Sequence, residues 1–233
     1  MTPSVEVVVP YLGGCPHRAR ALEWCRLRYG GPVTIAGGEP PWSKAKVAMP
    51  AIERSRAEVV VCADADVWCD GLQDAIEAVQ DGAPYAIPHT LVHRLSKAGT
   101  AEVLAGADWR EQPLDQPPYV GIEGGGYIVA RRETLLEVPL DPRFVGWGQE
   151  DHSWGMALFT LLGTPWRGNA DLVHLWHPPQ DRMTRKYGSI EGRVLWRRYV
   201  QARRDKSQMR ALLEESRDAY PTTQPKSVAG SAL

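Results

Sequence analysis

From Val5 to Val79 short β-branched apolar runs alternate with stretches of helical periodicity, and this alternation limits the fold more than any other feature of the chain. Val5 to Val9 reads as a buried strand that ends at Pro10-Tyr11, with Gly13-Gly14 beyond it. Leu22, Cys25 and Tyr29 share one face of a helix from about His17 to Tyr29, which Gly30-Gly31-Pro32 stops. Val33 to Ile35 reads as a second strand, followed by a loop from Gly37 to Pro41. A helix from about Ser43 to Arg56 comes next, kinked or divided by Pro50. Glu58 to Ala63 is a third strand running into Asp64-Ala65-Asp66, and Leu72, Ile76 and Val79 mark a helix that Asp81-Gly82 breaks. This β-α-β-α-β-α run predicts an α/β domain with a central sheet and helices on both faces.

The second half is less regular. Tyr85 to Pro88 and Tyr127 to Ala130 read as strands, the latter after Gly124-Gly125-Gly126, and Ser96 to Ala107 reads as a surface helix or a mobile loop. Asp151 to Leu162 reads as a helix ended by Gly163, and Leu172 to Trp176 as a strand. A charged helix spans 189–218, with Val194, Leu195, Tyr199 and Leu212 to bury, and the Pro-, Ser- and Thr-rich tail over 219–233 is expected to be disordered.

Lys and Arg number 27 against 28 Asp and Glu, a formal net charge of −1. A duplex-wrapping or polybasic membrane-binding protein needs a surplus of cations, so neither class is expected, and nucleic acid is not an expected partner. No apolar run approaches the ~20 residues that span a bilayer. Met1 to Val9 lacks the basic start and apolar stretch of a secretion signal. Cys15, Cys25, Cys62 and Cys69 form no Cys-x-x-Cys pair, which points away from zinc ribbons and disulfide scaffolds and towards a reducing cytoplasm. Plentiful Ala, Arg, Gly, Pro and Val beside a single Asn169 fit GC-rich coding DNA, as in an actinobacterium or its phages.

Four motifs carry chemistry. Asp64-x-Asp66 ends a buried strand, where ligands gather in open α/β sheets, and two carboxylates there call for a cation, with hard oxygen ligands suited to Mg²⁺ or Mn²⁺. The same pair is also read as solvated turn residues, one of them capping the helix that starts near Gly71. Gly146-Trp147-Gly148-Gln149-Glu150-Asp151 opens a helix, offering a flat aromatic face and two carboxylates at the positive end of the helix dipole, fit either for proton abstraction or for simple capping. His174 and His177 are imidazoles at a strand end, able to ligate Mn²⁺ or to serve as ordinary core or surface residues. Gly124-Gly125-Gly126 lets a ligand lie against the backbone, or is a flexible turn.

Taken in order, these motifs resemble a GT-A glycosyltransferase, most of all the β-1,4-galactosyltransferase and polypeptide N-acetylgalactosaminyltransferase group. The likeness runs from Val5 to about Arg182. It implies a Rossmann-like GT-A domain over 1–188, with a mixed, mostly parallel sheet, and the helix over 189–218 packed on it. Pro10-Tyr11 matches the Pro-aromatic pair at the nucleotide, Ser43-Lys44-Ala45-Lys46 the basic segment after strand two, and Asp64-Ala65-Asp66 the Asp-x-Asp motif. Gly124-Gly125 matches the acceptor-side loop, Trp147 to Asp151 the Trp-Gly-x-Glu-Asp motif, and His177 the late metal-binding His, with His174 where a Met can also ligate. The chain departs from the group at Leu12-Gly13-Gly14, which lacks the basic residue found there, and at His152 and Ser153, where acids continue in the galactosyltransferases.

The resemblance implies transfer of a hexose or N-acetylhexosamine from a UDP-sugar to a hydroxyl on a glycan, a protein Ser or Thr, or another acceptor. Mn²⁺ (or Mg²⁺) would lie on Asp66 and His177, with Asp64 or His174 as further ligands. Pro10, Tyr11, Arg18, Lys44, Asp64, Ala65, Gly125 and Trp147 would bind the donor. Asp151 would act as base with inversion, and Glu150 would hold the sugar. The rival expectations are a haloacid-dehalogenase-like phosphatase with Asp64 as nucleophile, a sugar-nucleotide-binding protein without turnover, and a nucleotidyltransferase, of which Gly13-Gly14 with Arg18 is a faint echo.

Overall fold

The computed structural model describes residues 4–179 and 188–220. The first half follows the expected alternation: β1 (Val5–Leu12), α1 (Pro16–Arg26), β2 (Val33–Gly38), α2 (Lys44–Arg54), β3 (Val59–Ala63), β4 (Val67–Cys69) and α3 (Leu72–Gln80). Then come β5 (Ala86–Arg94), α4 (Lys97–Leu104), β6 (Tyr119–Val120), β7 (Tyr127–Arg131), α5 (Arg132–Glu137), α6 (Glu150–Leu162), β8 (Trp166–His174), α7 (Ile190–Ala202) and α8 (Lys206–Arg217).

The strands form one sheet in the order β2-β1-β3-β7-β5-β8-β4, with β6 on β5. It is mixed, with three parallel and four antiparallel strand pairs. β1 pairs parallel with β2 and β3, and β5 with β8, whereas β3–β7, β5–β7, β5–β6 and β4–β8 are antiparallel. The cause is local: β3 is followed not by a crossover helix but by the Asp64-Ala65-Asp66 turn, which leads into β4 against β8.

Alternation along the central strands sorts the core into two layers. Val8, Val60, Cys62, Ile128 and Ala130 face α2, α5, α6, α7 and α8. Val7, Val9, Val61, Tyr127 and Val129 face α1 and α3. Helices therefore cover both faces of a single α/β domain. Among the described residues no helix is long and apolar enough to cross a membrane, and the four cysteines are free.

Several sequence expectations change. β1 continues through Pro10 and Tyr11 to Leu12, because β2 also runs on and pairs with them through Gly38. Pro50 lies inside α2 without ending it. The segment from Ser96 forms α4, capped by the Ser96 hydroxyl, which accepts from Gly99 N. The single helix expected over 189–218 is two helices, since Asp205 caps α8 by accepting from Ser207 N and Gln208 N. Val194 is exposed, whereas Leu195, Tyr199 and Leu212 are buried. Of the expected disordered tail, Ala219 and Tyr220 are described, and the Tyr220 hydroxyl donates to Leu140 O. Residues 221–233, and the end of the family likeness at 180–182, lie outside the described residues.

Candidate active site

The site forms at the carboxyl ends of β1 and β3, where the strand order reverses on the two sides of β1. Backbone bonds fix the Asp64-Ala65-Asp66 turn there. Asp64 N donates to Gly126 O at 2.9 Å, and Gly126 N donates to Asp64 Oδ2 at 3.2 Å. Leu175 N donates to Asp66 O at 2.9 Å, tying the turn to the segment that carries His174 and His177. Beneath it, Val67 O accepts from the Tyr127 hydroxyl at 3.0 Å and from Cys25 Sγ at 3.1 Å. Ala65 is buried, and of the two carboxylates Asp64 is partly exposed whereas Asp66 is buried.

Each carboxylate has a cation from elsewhere in the chain. Lys44 Nζ stands 2.7 Å from Asp64 Oδ1 and 2.7 Å from Asp151 Oδ1, with the lysine only 8% exposed. Burial alone would lower the Lys44 pKa, but the Asp151 and Asp64 carboxylates more than offset it and hold the ammonium well above its ordinary value. Burial pushes the Asp151 carboxyl up to about 7, against the pull of Lys44 and with the push of Asp64 and Glu150. Arg18 Nε donates to Asp66 Oδ2 at 2.9 Å, and Asp66 is 2% exposed. Burial would raise Asp66, yet His174, Arg18 and His177 together hold it below the ordinary carboxylate range. Burial pushes His174 itself down to about 4, so at neutral pH its ring is uncharged and Arg18 supplies the positive charge.

Asp66, His174 and His177 bring one ligand atom each within 4.8 Å of one another. The His177 ring places Nδ1 2.7 Å from Pro178 O, which fixes Nδ1 as the donor, and sets Nε2 3.2 Å from Asp66 Oδ2. With that tautomer a cation bound between the two would take the Nε2 lone pair of His177 and the Asp66 carboxylate together. His174 Nε2 accepts from Arg94 Nη1 at 3.3 Å and lies 3.8 Å from Asp66 Oδ1, so an ion at this corner would have to take the Nε2 lone pair from Arg94. Imidazole nitrogen beside a carboxylate oxygen is a donor set that would suit Mn²⁺ better than Mg²⁺. Asp64 stands outside this cluster.

The glycine run is a packing device. Gly124 has φ +89°, and a Cβ there would lie 2.0 Å from Asp151 O; a Cβ on Gly155 would lie 2.3 Å from Glu123 O. Only bare backbone lets this loop press on the first turns of α6, which is how Gly126, Asp64 and Asp151 come together. Gln149, with φ 72°, turns the chain into α6. Glu150 Oε2 accepts from Gly148 N at 2.7 Å, and burial raises its pKa despite Lys44.

The resulting cleft has a volume of about 670 Å³. Of the residues singled out from sequence, Pro10, Arg18, Lys44, Asp64, Asp66, Trp147, Glu150, Asp151, His174 and His177 line it. Tyr11 does not, because it follows Val7 and Val9 onto the α1 face of the sheet. Neither do Ala65 and Gly125. Trp42, Arg94, Ile122 and His152 also line the cleft and were not chosen from sequence. Trp42 stacks on Trp147 with ring centroids 5.7 Å apart, and the Arg18 guanidinium lies 5.4 Å from the Trp147 centroid. Arg94 ends β5, six residues past the expected strand end, so sequence did not mark it as a strand-end residue. Trp42, an aromatic directly before the Lys44 segment, was the readable signal among these.

No family model matches the chain, and no curated protein does. Among solved structures the chain is similar to a crystal structure of a mycobacterial protein, with 16% identity and a TM-score of 0.42 over 76% of this chain and 69% of the other.

Proposed function

We propose that this protein is a metal-dependent glycosyltransferase with a GT-A arrangement of its sheet, moving a hexose or N-acetylhexosamine from a UDP-sugar to an acceptor hydroxyl with inversion. One observation carries the reading: the Asp66, His174 and His177 donor set and the near-neutral Asp151 carboxyl share a single cleft.

Asp66, His174 and His177 would hold Mn²⁺ or Mg²⁺. When bound, such an ion supplies neutralising charge for a departing diphosphate. Arg18 and Arg94 flank the same end of the cleft and add fixed positive charge there. Trp147, backed by Trp42, gives a flat wall for a sugar ring. Asp151 takes the proton of the acceptor hydroxyl as its oxygen bonds to the anomeric carbon. The bond from that carbon to the diphosphate breaks, and its electron pair leaves with UDP. A carboxylate with a pKa near 7 suits this work at neutral pH. Glu150, bonded to Gly148 N, shapes the loop that presents Trp147. Lys44 fixes Asp151 rather than standing free for phosphate. The phosphatase alternative is disfavoured because both Asp64 oxygens are engaged, by Lys44 and by Gly126 N.

The test is calorimetric titration of UDP with Mn²⁺ present and then chelated. Binding that needs the metal supports the reading, and a panel of UDP-sugars then identifies the donor by hydrolysis. Absence of UDP binding in both conditions overturns it. An α-linked product from a UDP-α-sugar, read by NMR, removes inversion.

A further inference from the structure

We infer that the outer face of α7 docks the protein on an anionic phospholipid bilayer, with the mouth of the cleft beside it. That the acceptor hydroxyl is carried by a membrane-anchored molecule rests on the glycosyl-transfer reading above; the docking surface does not.

A helix of 3.6 residues per turn places Ile190, Arg193, Val194, Arg197 and Gln201 on one side of α7. The burial pattern agrees: Gly192, Leu195, Tyr199 and Ala202 are buried, and the other five are exposed. Ile190 is 64% exposed and Val194 54%, one turn apart, which is large for β-branched apolar side chains. On the face itself Arg193 and Arg197 flank the two apolar side chains, and Arg204, seven residues past Arg197, is exposed in the turn before α8; Arg198 lies off the face and pairs with Glu215 at 2.8 Å, in a chain whose net charge is −1. The near-neutral total therefore hides a local cationic surface, and the whole-chain balance says nothing against it.

The helix that carries this face meets the cleft through its inner side and its first turn. Trp196 Nε1 donates to His152 Nδ1 at 3.3 Å, and His152 lines the cleft. At the start of α7, a Cβ on Gly188 would stand 2.3 Å from Trp147 O. Exposed Val145 follows Phe144, which packs near Gly192. Apolar side chains flanked by arginines match a bilayer interface, where the apolar groups enter the acyl boundary and the cations meet lipid phosphates. A nucleic acid would use the arginines and leave Ile190 and Val194 without a partner. A second copy of the same face would oppose cation to cation.

The experiment is co-sedimentation of the full chain with phosphatidylcholine vesicles, with and without about 30% phosphatidylglycerol, at low and raised salt. The expected result is binding to the anionic vesicles alone, released by salt. Arg197→Glu combined with Arg204→Glu should weaken it by at least about tenfold. Ile190→Asp combined with Val194→Asp should also weaken it, and both variants should keep the wild-type thermal midpoint, since these side chains are exposed. Equal binding to neutral vesicles, no vesicle binding, or variants that bind like the wild type overturns the inference. So does a short DNA duplex that binds through the arginines without regard to Ile190 and Val194, or a dimer that the variants dissociate. UDP titration of the same samples separates the two readings: vesicle binding without UDP binding removes the transfer reading and leaves the docking face, and the converse removes the docking face alone.

Discussion

Lys44 Nζ lies 2.7 Å from Asp151 Oδ1, although the two residues are 107 apart in the chain. The same ammonium touches Asp64. One buried lysine thus spaces the end of β3 from the start of α6, and the candidate base depends on it.

Lys44→Met should leave two partly buried carboxylates facing each other without a cation. Removing one partner of a buried ion pair costs roughly 3–5 kcal/mol. Here the cost should fall near the lower end, about 3 kcal/mol, because Asp151 can take up a proton instead. In a domain of this length that is a fall of roughly 6–12 °C in thermal midpoint, measurable by calorimetry. Turnover at neutral pH should fall further than stability explains, since Asp151 would then be protonated. A variant with wild-type midpoint and turnover would show that the lysine does not hold the site.

Asp151 titrates near 7 in the folded protein, above its unfolded value near 4. A group whose folded pKa is raised contributes stability that is complete below the unfolded pKa and is lost as pH rises through the folded one. Stability from Asp151 should therefore decline between about pH 4 and about pH 7. Activity should move the opposite way, rising with pH along a limb centred near 7, because the base must be ionised. Asp151→Asn should abolish turnover, retain UDP binding and remove its share of the stability slope. A rate profile that is flat from pH 5 to pH 8 would exclude Asp151 as the base.

Much of the site could be read from the chain, and what could not has a common physical cause. Asp64 and Asp66 were recognisable because a buried strand ended there, and Asp151 because a glycine-flanked aromatic preceded a helix. The sequence marks Lys44 and Arg18 for the donor and not as the cations of these carboxylates, because they precede Asp64 and Asp66 by 20 and 48 residues and only the sheet brings them together. β4 is three residues long, and its partner β8 is remote in sequence, so no local pattern revealed it. Tyr11 could have been placed correctly, since alternation from Val7 and Val9 already turned it from the cleft. Apolar character alone marks Val194 as core, but the helical phase turns it away from the side of α7 that buries Leu195 and Tyr199.

The glycine loop makes a stability prediction independent of any ligand. Gly124→Ala would put a Cβ at φ +89° and 2.0 Å from the Asp151 carbonyl, which belongs to helix backbone and cannot step aside cheaply. The expected loss exceeds about 3 kcal/mol. Gly106→Ala, also at positive φ but with open space around it, should cost only about 1 kcal/mol. Similar unfolding midpoints for the two variants would show that the loop does not press on α6.

The metal cluster separates the two carboxylates of the Asp64-x-Asp66 turn, which the sequence motif treats alike. Asp66→Asn and His177→Ala each remove an atom of the set, and each should weaken Mn²⁺ binding by at least about tenfold in calorimetric titration. Asp64→Asn should leave Mn²⁺ affinity within about threefold, because the Asp64 carboxylate is spent on Lys44 and Gly126 N. Its damage should appear elsewhere, as a shift in the pH dependence of turnover, since Lys44 would then serve Asp151 alone and lower its pKa. Equal loss of Mn²⁺ affinity in all three variants would mean that the turn rearranges on binding and that Lys44 releases Asp64 to the ion.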